Sequence, residues 1–579
     1  MKKNTSNTMK KIINYLKKYI PAIVFSIIPA LVSVAASLLI PRYIGSAIDT
    51  MIENGVVENE ALWSNIVKII ICIGVCALCQ WIFTQIINTV SYNTVKDIRT
   101  DAFMKITRLP VSYMDSHPHG ETLSRVISDT EQLGDGLIMG FAGILTGCAT
   151  IVGTLVIMFS MNVPMAIAVV VLTPLSLFVA RFVTSKTHKY FTKQTKLKGI
   201  QTGFTEENIK GIKTVKSAGA EKEKKEAFVK IDTEYTKSSL MAIFFSSLTN
   251  PLTRFVNSTV YAVTALIGAL YVLNTGALTV GMLSSFLSYS GSYAKPFNEI
   301  SSVITEFQGA IACAARVFEL IEEKEIEDMP PCEEKKEAHG DVSFKNVEFS
   351  YKEDKPLIEN FTLDVKKGDH VAIVGPTGCG KTTLINLLMR FYDAKSGDIL
   401  VDGESIYKMS RADLRDKLGM VLQDTWIKKG TVKENIALGR VGATDEEIYR
   451  AAKSCKADDF IRKLPNGYDT VIGSGDTELS QGQNQLICIA RVMLRDPEIL
   501  ILDEATSSID TRTEMIISAA FDKLTRGKTS FIVAHRLSTI KNADVILVMK
   551  DGKIVEQGTH KTLLDKKGFY FELYSSRIK

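Results

Sequence analysis

The chain has 579 residues, of which 46% are hydrophobic and 23% charged, and its mean hydropathy is positive. That length holds several domains, and the mixture fits a greasy part joined to a soluble part rather than one soluble fold. A net charge of +5 over this length gives no concentrated basic face and argues against nucleic acid as a partner. The nine cysteines include Cys72, Cys76 and Cys79 in one apolar run, and none shows metal-ligand spacing in a polar context. They read as buried or free thiols of a reducing compartment.

Residues 1–20 interleave lysines with Met9, Ile12, Ile13, Tyr15, Leu16, Tyr19 and Ile20. This pattern predicts an amphipathic helix lying on an anionic membrane surface. The apolar run that follows is too long for a cleaved signal peptide and lacks a clear small-residue cleavage site. Six long apolar stretches come next, near 21–47, 64–90, 137–161, 163–184, 241–273 and 277–310. Each reaches the roughly 20 residues that a helix needs to cross a bilayer. Glycines and prolines inside them are tolerated better in membrane helices than in soluble ones.

The connections alternate in character. Residues 50–62 are acidic, and Met161-Asn162 and Asn274-Thr275 are very short. Segments 91–136 and 185–240 are long and rich in Lys and Arg, which places them and both termini in the cytoplasm of a cell-membrane protein. They look helical, so the membrane helices are expected to continue about 30 Å beyond the bilayer. Tyr113–Glu121 and Glu206–Lys216 interrupt these extensions with turn signals at Pro118, Gly120 and Gly211, and are candidate contacts to a cytosolic domain. Arg254, Lys295 and Glu299 fall within the fifth and sixth stretches. Intramembrane charges are functional candidates by default, although pairing with one another or placement near the cytoplasmic helix ends explains them equally well.

Residues 1–320 therefore form a membrane α-helical bundle. The charged stretch 321–341, with Pro330-Pro331, reads as a linker. From Val342 to the end at 579, short apolar runs alternate with helical stretches, the pattern of an α/β domain.

Within that domain Gly375-Pro376-Thr377-Gly378-Cys379-Gly380-Lys381-Thr382 is G-x-x-x-x-G-K-T, the P-loop pattern. The apolar run Val371–Val374 precedes it and Thr383–Leu388 follows, giving the strand–loop–helix context the motif requires. The glycines let successive N–H groups face phosphate oxygens, and the helix N-terminus adds partial positive charge. Lys381 is predicted to reach the β- and γ-phosphates of ATP, and the Thr382 hydroxyl to ligate Mg²⁺. Downstream, Ile499–Leu502 leads into Asp503-Glu504. A buried strand would deliver both carboxylates to its C-terminal edge, Asp503 for the Mg²⁺ shell and Glu504 to polarise the attacking water.

Leu479-Ser480-Gln481-Gly482-Gln483, ahead of Asp503-Glu504, resembles the signature motif of ATP-binding cassette (ABC) proteins. Six membrane stretches followed by one such domain resemble an ABC exporter half-transporter over essentially the whole chain. The resemblance implies that Tyr351 stacks on adenine and that Gly375 through Thr382, with Thr383, form the Walker A loop. It implies that Gln423 contacts Mg²⁺ and senses the γ-phosphate, that Asp503 and Glu504 are the Walker B aspartate and catalytic base, and that His535 is the switch histidine. Ser507–Asp510 resembles the D-loop, and Tyr113–Glu121 and Glu206–Ala218 resemble the two coupling helices. In that family two cassettes dimerise head to tail, so Ser480, Gly482, Gln483 and Asp510 would serve the ATP bound mainly by a second half-transporter.

The chain departs from the family pattern at Gln481, which replaces the first glycine of L-S-G-G-Q, and over Gly473–Glu478 and Asn484–Leu486. Complete Walker residues beside an altered signature resemble one half of the heterodimeric bacterial exporters, whose other half has an impaired Walker B. This favours a heterodimer, with a homodimer as the alternative. The implied function is ATP-driven export of a small amphipathic or hydrophobic substrate, such as a drug, lipid or peptide. An ATP-gated channel or regulator, or an importer-like transporter on the same fold, are the competing readings.

Overall fold

The computed structural model describes residues 2–52, 59–275, 278–330, 339–352, 355–422, 425–473, 479–503, 510–533 and 540–578. The chain divides into two units. One comprises Met1–Arg108 with Pro118–Lys324, and the other Leu109–His117 with Glu325–Lys579.

The first unit is helical throughout. It contains α1 (Lys2–Leu16), α2 (Ile20–Ile52), α3 (Asn59–Arg108), α5 (His119–Val126), α6 (Ser128–Met161), α7 (Val163–Leu172), α8 (Pro174–Lys210), α9 (Ile212–Ser217), α10 (Glu221–Thr275) and α11 (Val280–Ile321), while α4 (Val111–Ser116) belongs to the second unit. Among the described residues, Ser6–Ile52, Asn59–Arg108, His119–Met161 and Glu221–Leu273 are long and apolar enough to cross a membrane. The other two expected stretches differ from that simple picture. The stretch expected over 163–184 is divided between α7 and α8, because Pro174 has no N–H to continue the ladder. The one expected over 277–310 is α11, where serines, Lys295 and Pro296 dilute the hydropathy. Its packing against α6 and α2 lets it carry those polar groups.

The principal helix pairs are α6 with α11, α2 with α3, and α8 with α10. Small residues set the α6–α11 spacing: a Cβ on Gly136 would lie 2.2 Å from the Cβ of Ala310, and one on Gly140 would lie 2.8 Å from the Phe307 ring. Arg316 then clamps the same pair, donating to buried Asp129 through Nε at 2.7 Å and Nη2 at 2.6 Å. Outward, large apolar residues such as Ile70, Trp81 and Val156 are exposed, as a lipid-facing surface requires.

The second unit has two main sheets. β1 (Val342–Phe349), β2 (Ile358–Val365), β4 (Ser396–Val401) and β5 (Glu404–Ser405) form an antiparallel sheet in the order β2-β1-β4-β5. β3 (His370–Val374), β6 (Leu418–Val421), β9 (Ile499–Asp503), β10 (Thr529–Val533), β11 (Val545–Lys550) and β12 (Lys553–Gly558) form the other, in the order β12-β11-β3-β10-β9-β6. Every pair in it is parallel except β11–β12. β7 (Gly430–Thr431) and β8 (Val471–Ile472) pair separately. The helices are α12 (Lys381–Leu388), α13 (Arg411–Lys417), α14 (Val432–Ala437), α15 (Asp445–Ser454), α16 (Asp458–Ile461), α17 (Gln481–Arg495) and α18 (Thr511–Thr525), with two more at His560–Lys566 and Phe569–Ile578. β3 and β9 are the completely apolar runs of the sequence because a parallel sheet is covered on both faces.

Two hydrophobic cores result. One joins β1, β2, β3 and β4 to α12, and the other joins α14, α15, α17 and α18 to the opposite side of β6 and β9. The stretch read as a linker is partly ordered against the first. Asp328 accepts from Arg411 N at 3.0 Å, and the Glu327 carbonyl accepts from Arg411 Nη1 at 2.8 Å. Residues 331–338 lie outside the described residues.

Candidate functional site

The register of the parallel sheet decides what meets what. Val533 lies opposite Ile373 on one side and Asp503 on the other, and Val421 lies opposite Leu502. The carboxyl ends of β3, β10, β9 and β6 therefore share one edge, the edge at which ligands bind in open α/β sheets. The loop 375–380 leaves β3 there, and the buried carboxylate of Asp503 ends β9 there. Gln423, Glu504 and His535 follow the ends of β6, β9 and β10 in sequence and lie outside the described residues, as do Ser507–Ile509 of the predicted D-loop.

The loop needs glycine for two distinct reasons. A Cβ on Gly375 would lie 2.2 Å from Met549 O, so β11 leaves no room for a side chain. Gly380 caps α12 at φ +100°, a left-handed conformation that L side chains rarely adopt. Pro376, Thr377 and Gly378 form the exposed rim, while Cys379 is buried and packs into the first core. Burial pushes the Cys379 thiol up, although Lys381 lies beside it. Lys381 Nζ donates to Gly375 O and to Pro376 O, both at 2.9 Å, which holds the ammonium over the loop. Thr382 is exposed on the first turn of α12 and Thr383 is buried. A helix N-terminus under a turn of backbone, with an ammonium above it, is a site for a polyanion.

Tyr351 is half-exposed and fixed beside this loop. Its hydroxyl lies 3.2 Å from Thr383 Oγ1 and accepts from Asn386 Nδ2 at 3.4 Å, which ties it to α12. Its ring meets Phe349 edge-on at 4.9 Å and Tyr392 edge-on at 5.0 Å. Tyr392 was not singled out from sequence. Its hydroxyl donates to Asp115 of α4, and burial followed by that bond raises its pKa. Only the placement of Leu109–His117 within the second unit reveals the link.

The signature residues stand apart from this group. Ser480 caps α17 in a reciprocal box: Gln483 N donates to Ser480 Oγ at 3.3 Å, and Ser480 N donates to Gln483 Oε1 at 2.9 Å. Gly482 is buried on the first turn, and Gln481 is exposed at the first helical position, where a side chain of any size fits. Replacing glycine there leaves the fold intact and changes only the face it presents. α17 packs on α14, α15, α18 and β6, in the second core. Asp510 caps α18, accepting from Thr513 N at 3.0 Å, and that bond holds its carboxyl below the usual range. The residues predicted to bind nucleotide thus fall into a P-loop group and a signature group on different cores of one chain. In the first unit, Arg254 and Lys295 are exposed on α10 and α11, and the Glu299 side chain lies outside the described residues.

Residues 23–296 match the ABC transporter transmembrane region and residues 358–507 match the ABC transporter domain. A fatty acid ABC transporter ATP-binding/permease protein of Mycobacterium bovis is 41% identical over 86% of this chain and 78% of its own length. An uncharacterised ABC transporter ATP-binding protein of Bacillus subtilis is 36% identical over 100% and 95%. A putative multidrug export ATP-binding/permease protein of Staphylococcus aureus is 35% identical over 98% and 99%. Among solved structures, a bacterial Atm1-family ABC exporter with ATP bound superposes with a TM-score of 0.78 at 28% identity, covering 97% of this chain and 99% of that one. The chain belongs to the ABC transporter family and has the exporter architecture, one transmembrane region followed by one ATP-binding cassette, in a membrane protein that couples ATP use to transport.

Proposed function

We propose that this chain is the hydrolytically complete half of a two-chain exporter, moving a small amphipathic or hydrophobic molecule out across the cell membrane. Residues 1–320 would be the membrane domain, 321–341 the linker and 342–579 the cassette, with both termini in the cytoplasm. The observation that carries the reading is the separation of the P-loop and signature groups onto two cores of the same chain. One chain alone does not bring them together, and a head-to-tail pair of cassettes would.

In that arrangement Tyr351 stacks on adenine, and the amides of 375–383 with Lys381 hold the β- and γ-phosphates. The donors that Lys381 now directs at its own loop carbonyls would turn to phosphate oxygens. The hydroxyl of Thr382, the carboxylate of Asp503 and the amide oxygen of Gln423 are hard donors that suit Mg²⁺, which usually takes one or two protein oxygens beside phosphate and water. Mg²⁺, when bound, neutralises charge developing on the transferred phosphoryl group. Glu504 would accept the proton of the attacking water, and His535 would contact the γ-phosphate. Ser480, Gly482, Gln483 and Asp510 would face the partner's nucleotide. Contacts available only in the closed dimer make ATP binding favour closure, and loss of the γ-phosphate removes that preference.

The exposed Gln481 supports a heterodimer, because it alters the face offered to the partner's site while the chain's own Walker residues are complete. The relatives named for fatty acids and for multidrug export support an apolar or amphipathic cargo. The test is ATPase activity in lipid of the chain alone, of its Glu504→Gln variant, and of the chain co-expressed with a neighbouring half-transporter. Low activity alone, restored by the partner and abolished by Glu504→Gln, is expected. Robust turnover by the chain alone would establish a homodimer instead.

A further inference from the structure

A second cavity lies wholly within the first unit, away from the nucleotide site. It has a volume of about 440 Å³, is bounded by α1, α2, α3, α6 and α11, and is lined by Ile12, Leu16, Ile27, Ile87, Phe141 and Phe307 among others. This is the size of a small-molecule site. Its one polar lining residue, Ser26, already donates to Ile23 O at 2.7 Å, so the wall offers a ligand no hydrogen bond. A wall of this kind does not hold water and is satisfied only by apolar contact.

The mouth is identified by exposure. Ile13 and Ile144, both in the lining, are 48% and 52% exposed. Val24, Phe25 and Ile28, adjacent in sequence to lining residues Ile23 and Ile27, are exposed on α2. The cavity thus opens beside an apolar outer surface of the kind that faces lipid.

Charge stands on the same side. Residues 1–20 contain six lysines and no acidic residue. Lys11 pairs with Glu322 at 2.5 Å and Lys18 with Asp97 at 3.3 Å. Lys10 and Lys17 are exposed and have no ion pair among the described residues. They precede Ile13 by three positions and follow it by four, the spacing that puts them beside it along the helix. Two unneutralised ammonium groups therefore flank the open edge of an apolar cavity at the membrane surface.

We propose that this cavity holds one acyl chain of an anionic bilayer phospholipid, with the headgroup phosphate held by Lys10 and Lys17. The half-exposed mouth leaves the second acyl chain in the bilayer. A basic helix and a buried chain together supply the two signals that stable membrane attachment requires. The occupant wedges α1 against α6 and α11, the pair clamped by Asp129 and Arg316. It is a bound component of the transporter rather than its cargo.

The test uses the full chain in nanodiscs of phosphatidylcholine containing a few per cent of one photoreactive lipid. The probes are phosphatidylglycerol or phosphatidylcholine with a diazirine on the acyl chain, and diazirine-bearing palmitate. Phosphatidylglycerol is expected to label peptides covering 9–16 and 137–145 about tenfold more than phosphatidylcholine. Lys10→Gln with Lys17→Gln should remove that preference, and Ile13→Trp should lower labelling by both phospholipids. Labelling of the outer face of α3 near Trp81 should stay constant in every variant, which guards against misfolding. Equal labelling by the two phospholipids, or a preference that survives the double substitution, would overturn the proposal. So would palmitate that labels the same peptides and is released by ATP, which would make the cavity a cargo site.

Discussion

Tyr392 donates its hydroxyl proton to the carboxylate of Asp115 while its ring edge meets Tyr351 at 5.0 Å, so a single side chain touches both α4 and the aromatic beside the P-loop. Tyr392→Phe keeps the ring contact and deletes the bond. A hydrogen bond to a partly exposed carboxylate contributes about 1 kcal/mol. Amide hydrogen exchange across 109–117 should therefore quicken about fivefold, while ATP affinity, which depends on the retained rings, stays unchanged. Unchanged exchange would show that Asp115 does not hold α4 through Tyr392.

Arg411 holds the start of the cassette together. It is buried, and it reaches the Glu327 carbonyl at 2.8 Å and Asp393 Oδ2 at 3.0 Å while its backbone N–H donates to Asp328. Burial pushes its pKa down, and neighbouring Arg390 adds to that, so the two carboxylates are what make the site tolerable. Both carboxylates are partly exposed, which reduces the penalty for losing their partner. Arg411→Ala should cost about 2 kcal/mol and lower the cassette's unfolding temperature by roughly 4–8 °C. Arg411→Lys should not restore it, because an ammonium cannot span the forked contacts. Differential scanning calorimetry of the full chain reads both variants.

Where the chemistry lies in consecutive residues, the sequence was sufficient to read it. Gly375–Thr383 and Ile499–Asp503 each carry their own strand or helix context, and the apolar stretches show themselves by length. What depends on distant pairing was hidden. No local pattern places β10 between β3 and β9, and Tyr392 and Asp115 are 277 residues apart. The break at Pro174 was present in the sequence, but apolar length outweighed it in the reading. The two-core separation of P-loop and signature comes from which side of β6 and β9 each helix covers, and that is a tertiary fact.

Asp402 makes the cassette sensitive to acid. With Gly403 it forms a two-residue turn between β4 and β5, both residues at positive φ. Its carboxylate accepts from Gly340 N at 2.7 Å and from Lys417 Nζ at 2.9 Å, fixing the entry to β1. Burial alone would raise its pKa, but Lys417 and the backbone N–H groups outweigh burial and the net shift is downward. A carboxyl with a depressed folded pKa contributes stability above its unfolded value of about 3.9. That contribution is lost as pH falls through the folded value. Asp402→Asn should therefore destabilise the cassette at pH 7 by roughly 1–2 kcal/mol. The gap to the natural chain should narrow once pH drops below about 4. Urea unfolding followed at pH 7, 5 and 3.5 checks the sign; a gap that widened in acid would be incompatible with it.

At the other end of the molecule, α2 and α11 are joined through backbone. Asp49 accepts from Thr279 Oγ1 at 2.6 Å and from Gly281 N at 2.7 Å, capping the first turn of α11. A Cβ on Gly281 would lie 2.0 Å from Gly45 O and 2.6 Å from the Asp49 carboxylate. A backbone oxygen cannot swing aside, so Gly281→Ala must push the helices apart and should cost about 2 kcal/mol or more. Gly291 lies further along the same helix with nothing within 4 Å of its would-be Cβ. There the same substitution should stabilise by roughly 0.5–1 kcal/mol through helix propensity alone. Thermal unfolding of the two variants in one detergent separates close packing from propensity, since composition and helix are shared. Equal shifts would mean that α2 and α11 are not held at this spacing.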